Sequence, residues 1–418
     1  MSYNNGVIET EYLDPVSFTT SRCAFELNPT RLGILPNMRL LNVGANNDKG
    51  DTKDYASGTG ACGIIKNIRL LDARTELSCL RNVAPYLQFK NIARTNDINK
   101  SNDSFLKRTE LGYEIKGADN KLIHLYGSGN STTPATNTSD AAYLDLRDML
   151  PLLNSIPVLP TGGGGFKNLR LEIEFHTTVA AQIFNDGTAA PTALRPILAY
   201  DYVSDPRVLA PMVEQMNQGT EWSEVEWDNF VIPEVVLGTD ITQVQTTNNN
   251  SLGFVGKKLG RLLIVKTLAN PALDVAVGGE VEGFGGAQSS QAVLNQTTNI
   301  RLNGKNVFPG ANGVTGSNEM LGVVVDAYGD MQQYPGSNLY QWNKTATLMD
   351  VAGLAGQAAY SCCQIGARVA DLQVGLQRTN NQDTSRKSAT NDALQINLYA
   401  EVSKAIMFKD GRYSIMYA

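Results

Sequence analysis

Leu169, Leu171, Ile173 and Phe175 occupy every second position of residues 169–176, with Arg170, Glu172, Glu174 and His176 between them. Side chains alternate across a strand, so this run predicts a strand with one face in a core and the other in water. The same alternation returns near the C-terminus, where Leu394, Ile396, Leu398, Ala400 and Val402 share a face. Beyond it, residues 405–408 and 413–417 flank Lys409-Asp410-Gly411-Arg412, and Asp-Gly between two strands predicts a tight hairpin. Residues 64–71, 259–266, 298–302 and 321–325 supply further strands.

Helical spacing is rarer. Val208, Leu209, Met212, Val213 and Met216 recur at helical intervals behind Asp205-Pro206-Arg207, a cap followed by a first-turn proline. Ser139 or Asp140 can cap a short helix running through Leu150, with Pro151 near its end, and residues 75–87 can hold another turn or two. Many short strands with scattered helices and long polar loops predict an all-β sandwich class. The loops at 43–63, 117–140, 270–296 and 376–392 are rich in Gly, Asn, Ser, Thr and Asp, and loops of such length in compact domains usually carry a function. No short repeat period runs through the chain, which disfavours solenoids and propellers. The stretch 204–217 separates two strand-rich blocks of similar size. The expected division is 1–204, a linker helix over 205–219, and 220–418.

Composition agrees with two packed β units. The chain has 418 residues, enough for two cores of roughly 200 residues each. Charged residues make up 18%, under the ~25% usual for soluble domains. Net charge is -6 and no Lys/Arg-rich arm stands at either end, which argues against direct nucleic-acid binding through a basic tail. The five cysteines, Cys23, Cys62, Cys79, Cys362 and Cys363, form no CxxC pair, so a disulfide framework is not expected. Residues 1–28 lack the pattern of a secretory signal, and no apolar run is long enough to span a membrane.

Candidate chemistry is thin. Gly58-Thr59-Gly60-Ala61-Cys62-Gly63 matches GxGxxG, yet a dinucleotide site needs a strand before it and a helix after it. Here a polar loop precedes and a strand follows. Gly162 to Gly165 lacks the Lys-Ser/Thr of a phosphate loop and reads as a flexible turn. The two histidines, His124 and His176, come with no nucleophile motif and nothing that pairs them for a metal. Glu224, Glu226 and Asp228 alternate and share one face if residues 222–232 form a strand. Such a stripe could bind Ca²⁺ or act as an acid pair on glycosides, although like charges on one strand more often mark a solvated face or a subunit contact. No catalytic, cofactor or metal residue is assigned.

Three stretches carry a family likeness. They are Ile64-Ile65-Lys66-Asn67-Ile68-Arg69-Leu70-Leu71 with Thr75-Glu76-Leu77; Leu144-Asp145-Leu146-Arg147-Asp148-Met149-Leu150-Pro151 with Leu159-Pro160 and Phe166-Lys167-Asn168-Leu169; and residues 196–206 with Trp222-Ser223-Glu224-Val225-Glu226-Trp227-Asp228. The chain resembles the double jelly-roll major capsid proteins of polinton-like viruses, virophages and the adenovirus-like lineage. That resemblance implies two tandem eight-stranded antiparallel jelly rolls with a few short helices. It also implies a homotrimer forming a pseudo-hexagonal capsomer in the icosahedral shell of a DNA virus, beside neighbouring capsomers, penton and minor capsid proteins. The expected location is the virion, and no enzymatic activity or cofactor is expected.

Two other readings stand beside it: a virion spike or lectin-like β-sandwich binding protein, and a β-sandwich hydrolase using the Glu224/Glu226/Asp228 stripe. Loops 117–140 and 270–296 are expected on the outer face. Loop 376–392 belongs with them unless Arg378, Arg386 and Lys387 turn it inward.

Overall fold

The computed structural model describes residues 8–46, 60–92, 106–107, 114–116, 122–124, 142–161, 165–177, 192–232, 242–248, 253–268, 296–307, 360–379, 394–409 and 412–417. In the first half, β1 (Ile8–Leu13), β2 (Ser17–Phe18), β3 (Arg22–Glu26), β4 (Gly33–Ile34), β5 (Arg39–Val43) and β6 (Ala45–Asn46) precede β7 (Ile65–Asp72) and β8 (Thr75–Arg81). A helix, Val83–Ile92, follows. Then come β9 (Glu114–Lys116), β10 (Leu122–His124), β11 (Ala142–Asp145), β12 (Leu159–Pro160), β13 (Leu169–Phe175), β14 (Thr192–Ala193) and β15 (Ile197–Val203). One main sheet runs β11-β5-β15-β4-β12 with β1 beside β15; the other runs β2-β3-β13-β7-β8.

The second half holds β16 (Thr220–Ile232), β17 (Thr242–Asn248), β18 (Lys258–Leu268), β19 (Gln296–Leu302), β20 (Lys305–Asn306), β21 (Tyr360–Arg368), β22 (Leu372–Thr379), β23 (Leu394–Lys409) and β24 (Arg412–Tyr417). Its sheets run β16-β23-β18-β21, with β24 beside β23, and β17-β22-β19-β20. Sequence-distant strands are interleaved in every main sheet, and among the described residues the named strands pair antiparallel, as in jelly rolls. The main sheets hold six and five strands in the first half and five and four in the second, among the described residues. The expected figure of eight per half is not reproduced by these counts, since two-residue ladders such as β2 and β12 count separately.

The alternation read in residues 169–176 is realised in β13. Leu169, Leu171, Ile173 and Phe175 are buried between half-buried Arg170, Glu172 and Glu174. Each such apolar side chain contributes about 1.5–3 kcal/mol relative to exposure. On the polar face, Arg69 of β7 stands opposite Glu172 and donates to it from Nε at 2.8 Å, while Lys66 Nζ lies 2.9 Å from Glu174. β15 is buried on both faces after Ile197, and it is interior to the sheet, with β1 along one edge and β4 and β5 along the other. Its Asp201 accepts from Thr10 Oγ1 (2.6 Å), Asn37 Nδ2 (2.5 Å) and Arg39 (2.9 Å), which pins β1 to the sheet.

The helix after the first half spans Pro206–Asn217, with Asp205 as cap accepting from the Arg207 N–H. Only Met216 of its apolar stripe is fully buried; Leu209, Met212 and Val213 pack partly against the core. Gly219 ends it at φ +92°, a conformation L side chains rarely adopt. The hairpin at the C-terminus is present, with Lys409 opposite Arg412, although Asp410 and Gly411 lie outside the described residues. A second hairpin, β19–β20, turns on Asn303 and Gly304, both at positive φ, the signature of a type I′ turn.

Three local expectations are corrected. The helix expected to run through Leu150 is instead strand β11, a 3-10 turn at Leu146–Asp148 and a short helix at Leu152–Ser155. Pairing of β11 with β5 outweighs the helical spacing, and Pro151 opens the short helix rather than closing a longer one. Of residues 75–87, expected to hold a helical turn or two, 75–81 form β8 instead; Asn82, at φ +50°, ends the strand and the helix occupies only the rest, from Val83. Gly165 has a steric requirement and is no mere flexible link, since a Cβ there would collide with the Pro160 carbonyl. Gly162 to Gly164 lie outside the described residues, as do residues 321–325 and most of the loops 43–63, 117–140, 270–296 and 376–392.

Candidate functional site

The chemistry-bearing side chains converge on the seam where the β7–β8 hairpin meets the second half. Strands β8 and β16 lie side by side there without a backbone ladder among the described residues. Three groups of contacts join the two halves along this seam. At one end, Asp72 Oδ1 accepts from the Lys167 and Asn168 N–H groups, and its Oδ2 accepts from the Tyr413 hydroxyl at 2.9 Å. Beside it the Phe166 ring lies 5.4 Å from Phe408 and 5.0 Å from Tyr413, both edge-on, a geometry favoured by aromatic pairs.

In the middle is Glu224, 1% exposed. Its Oε1 accepts from Ser78 Oγ (3.0 Å) and the Cys79 N–H (3.1 Å), and its Oε2 accepts from Trp222 Nε1 (2.7 Å). Burial pushes its carboxyl up to about 7, against the opposing pull of Lys404 and the three donors. At the other end, Asn397 Oδ1 accepts from Asn82 Nδ2 (2.9 Å) and Trp227 Nε1 (3.2 Å). Tyr399 donates its hydroxyl to the Asn82 carbonyl at 2.6 Å, and its ring lies 5.4 Å from Tyr86.

The acidic stripe of β16 is thus split among three environments. Glu224 is buried, contrary to the expected solvated face. Glu226 is ringed by Lys257 (2.5 Å), Lys404 (3.7 Å) and the Tyr417 hydroxyl (3.0 Å). Asp228 accepts from the Asn229 and Gly253 N–H groups. Each carboxylate is held by its own set of protein donors among the described residues. No group of three or more His, Cys, Asp or Glu among the described residues is placed to hold a metal ion.

His176 sits just past β13, buried, with burial pushing its imidazole down to about 4 and Lys66 adding to the effect. It was expected on the polar face of the strand, but its backbone N–H closes onto the Ile64 carbonyl and draws it inward. The side chains of His124, Cys362, Cys363 and Arg378 lie outside the described residues, as do Arg386 and Lys387 altogether. Of the GxGxxG stretch, residues 60–63 form a buried 3-10 turn running into β7, the loop-to-strand arrangement that lacks a phosphate-facing helix end. Cys23 and Cys62 are buried and Cys79 is half-buried. A hollow of about 250 Å³ lies against β3, β13, β7 and β8, lined by Arg22, Arg69, Arg81 and Arg170 interleaved with Glu172 and Glu174. Burial opposes the ionisation of Glu174, but bonds from Lys66 and Asn67 hold it below the usual carboxylate range.

Sequence reasoning singled out Glu224 and missed its partners. Ser78, Cys79, Asn82 and Asn397 carry no motif, and no spacing links residues 145 to 315 positions apart.

No protein-family model and no curated protein matches the chain. Solved structures do. The Sputnik virophage structure solved by cryo-EM matches 100% of this chain and 89% of its own at 10% identity, with a TM-score of 0.54. The mavirus major capsid protein matches 100% and 91% at 8% identity and 0.54. A quasi-atomic model of the PBCV-1 virus capsid matches 100% and 99% at 13% identity and 0.50. With its two interleaved antiparallel sheets in each half, the chain has the double jelly-roll fold of these capsid proteins.

Proposed function

We propose that the chain is a major capsid protein, a structural subunit of an icosahedral virus shell that resides in the virion and catalyses no reaction. The observation that carries this reading is the extent of the likeness: it takes in the whole of this chain and nine-tenths or more of the mavirus capsid protein, so both halves are accounted for together. The seam supports it, since a shell subunit needs its two jelly rolls fixed as one block, and hydrogen bonds and aromatic contacts join them here at three places. The carboxylates that might have served hydrolysis are held by Ser78, Trp222, Lys257 and backbone N–H groups instead.

In this reading the halves are jelly rolls over 1–204 and 220–418, with 205–219 as the linker that contains the helix Pro206–Asn217. Three chains form a pseudo-hexagonal capsomer, which meets neighbouring capsomers, penton and minor capsid proteins. The low charge of 18% suits permanent contacts, whose centres are depleted of charge. Light scattering on the purified full chain, at micromolar concentration and physiological salt, should return three times the 45.2 kDa chain mass. A monomer mass under those conditions would remove the capsomer from the account.

A further inference from the structure

Glu224 occupies an unusual place. It lies between two sheet edges from different halves, is almost wholly buried, and among the described residues has no cation within ion-pair distance. The charge of opposite sign that acts on it is Lys404, whose ammonium stands 3.7 Å from Glu226 and 5.2 Å from the centre of the Tyr417 ring. Other titratable groups reach it from each neighbouring element. Cys79 comes from β8, Tyr417 from β24 and Tyr86 from the helix Val83–Ile92; Glu76 and Arg81 face Cys79 on β8, and Glu226 follows on the same strand as Glu224.

The hydrogen-bond pattern accepts a neutral carboxyl without losing a partner. The Cys79 N–H and the Trp222 indole can only donate, and they point at different oxygens. Ser78, the third partner, is a hydroxyl and can either donate or accept. A proton on Oε1 therefore turns the Ser78 contact around, with Glu224 donating, while both obligatory donors keep their acceptors. An ionised Glu224 keeps all three donors but leaves a net charge in a desolvated seam, which costs more than it does in water.

We propose that Glu224 makes the seam between the two halves a proton-operated latch, closed when the carboxyl is protonated and loosened when it ionises. The direction follows from linkage. A carboxyl held above its usual range in the closed seam binds a proton that the opened seam releases, so the stabilisation is complete at acid pH. It is lost as pH rises from the ordinary carboxylate range through about 7, and is flat above that. This is opposite in sign to Glu11 and Glu174, whose paired carboxyls are held low and favour the fold as pH rises. The latch concerns the single chain and does not depend on the shell-subunit reading.

The test is amide exchange of β8, corrected for the intrinsic pH dependence of exchange, in the purified full chain between pH 5 and pH 8. The opening constant of β8 should rise on the order of fiftyfold over that range. Glu224→Gln should flatten the profile, while opening more at every pH, because its amide NH₂ must face either the Cys79 N–H or the Trp222 indole. Lys404→Met, which removes the charge that favours ionisation, should move the midpoint to higher pH and provides the answer if Glu224→Gln does not fold. A flat wild-type profile, a slope retained in Glu224→Gln, or an unmoved midpoint in Lys404→Met overturns the latch. A failure to form trimers would count against the shell reading and leave this result standing.

Discussion

Phe166→Ala should lower the free energy of unfolding by about 3–5 kcal/mol, the range for removing a fully buried aromatic ring. Phe166 is 1% exposed and belongs to the first half, yet the rings it meets, Phe408 and Tyr413, belong to the second. The truncation opens a cavity at the joint and loosens the Tyr413 hydroxyl that donates to Asp72. Denaturant unfolding measures the cost, and proteolysis around residues 204–220 should accelerate as the halves come apart. A cost under about 1 kcal/mol, below even conservative core changes, would mean that the aromatic trio does not hold the halves.

Asn397→Leu is the second large effect, at about 3 kcal/mol. The leucine keeps the branched shape but is bulkier, so the lost hydrogen bonds are joined by some crowding. Asn397 is 1% exposed and its Oδ1 accepts from Asn82, Trp227 and Gln395. Leucine leaves the Asn82 amide and the Trp227 indole, both half-buried, without that acceptor, at about 1–3 kcal/mol for each group that finds no water. A double-mutant cycle with Asn82→Ala should show strong coupling, because the two amides share one bond across the halves. Additive effects would place the cost elsewhere.

Local rules made much of this fold legible before any coordinates. β13 and β23 announce themselves by alternation, because each keeps one regular apolar face along its length. The helix Pro206–Asn217 is marked by an Asp cap and a first-turn proline, both of which act within a few residues. Val83–Ile92 was legible only as a turn or two within residues 75–87: Val83, Ala84, Tyr86 and Leu87 are all buried, so its first turns lack an alternation of apolar and polar faces. Asn303-Gly304 carried a clear hairpin signal that was passed over, for its flanking strand β20 is only two residues long.

The seam was illegible for a different reason. A glutamate with three donors is the same letter as a glutamate in water, and what distinguishes Glu224 is the approach of β8 from 146 residues away. The acidic stripe it belongs to could be read as a face, but not as a face whose three members meet different neighbours. The resemblance to capsid proteins picked out the segments of β7 and β13 but read a helix where β11 and a 3-10 turn stand, and the tertiary contacts then decided what each polar side chain does.

The central claim is that this chain builds a shell, and electron microscopy of native particles containing it tests that most directly. The account predicts pseudo-hexagonal capsomers tiling an icosahedral surface, each made of three copies of the chain. Particles in which the chain is confined to isolated surface projections, with another protein forming the hexagonal lattice, would contradict it.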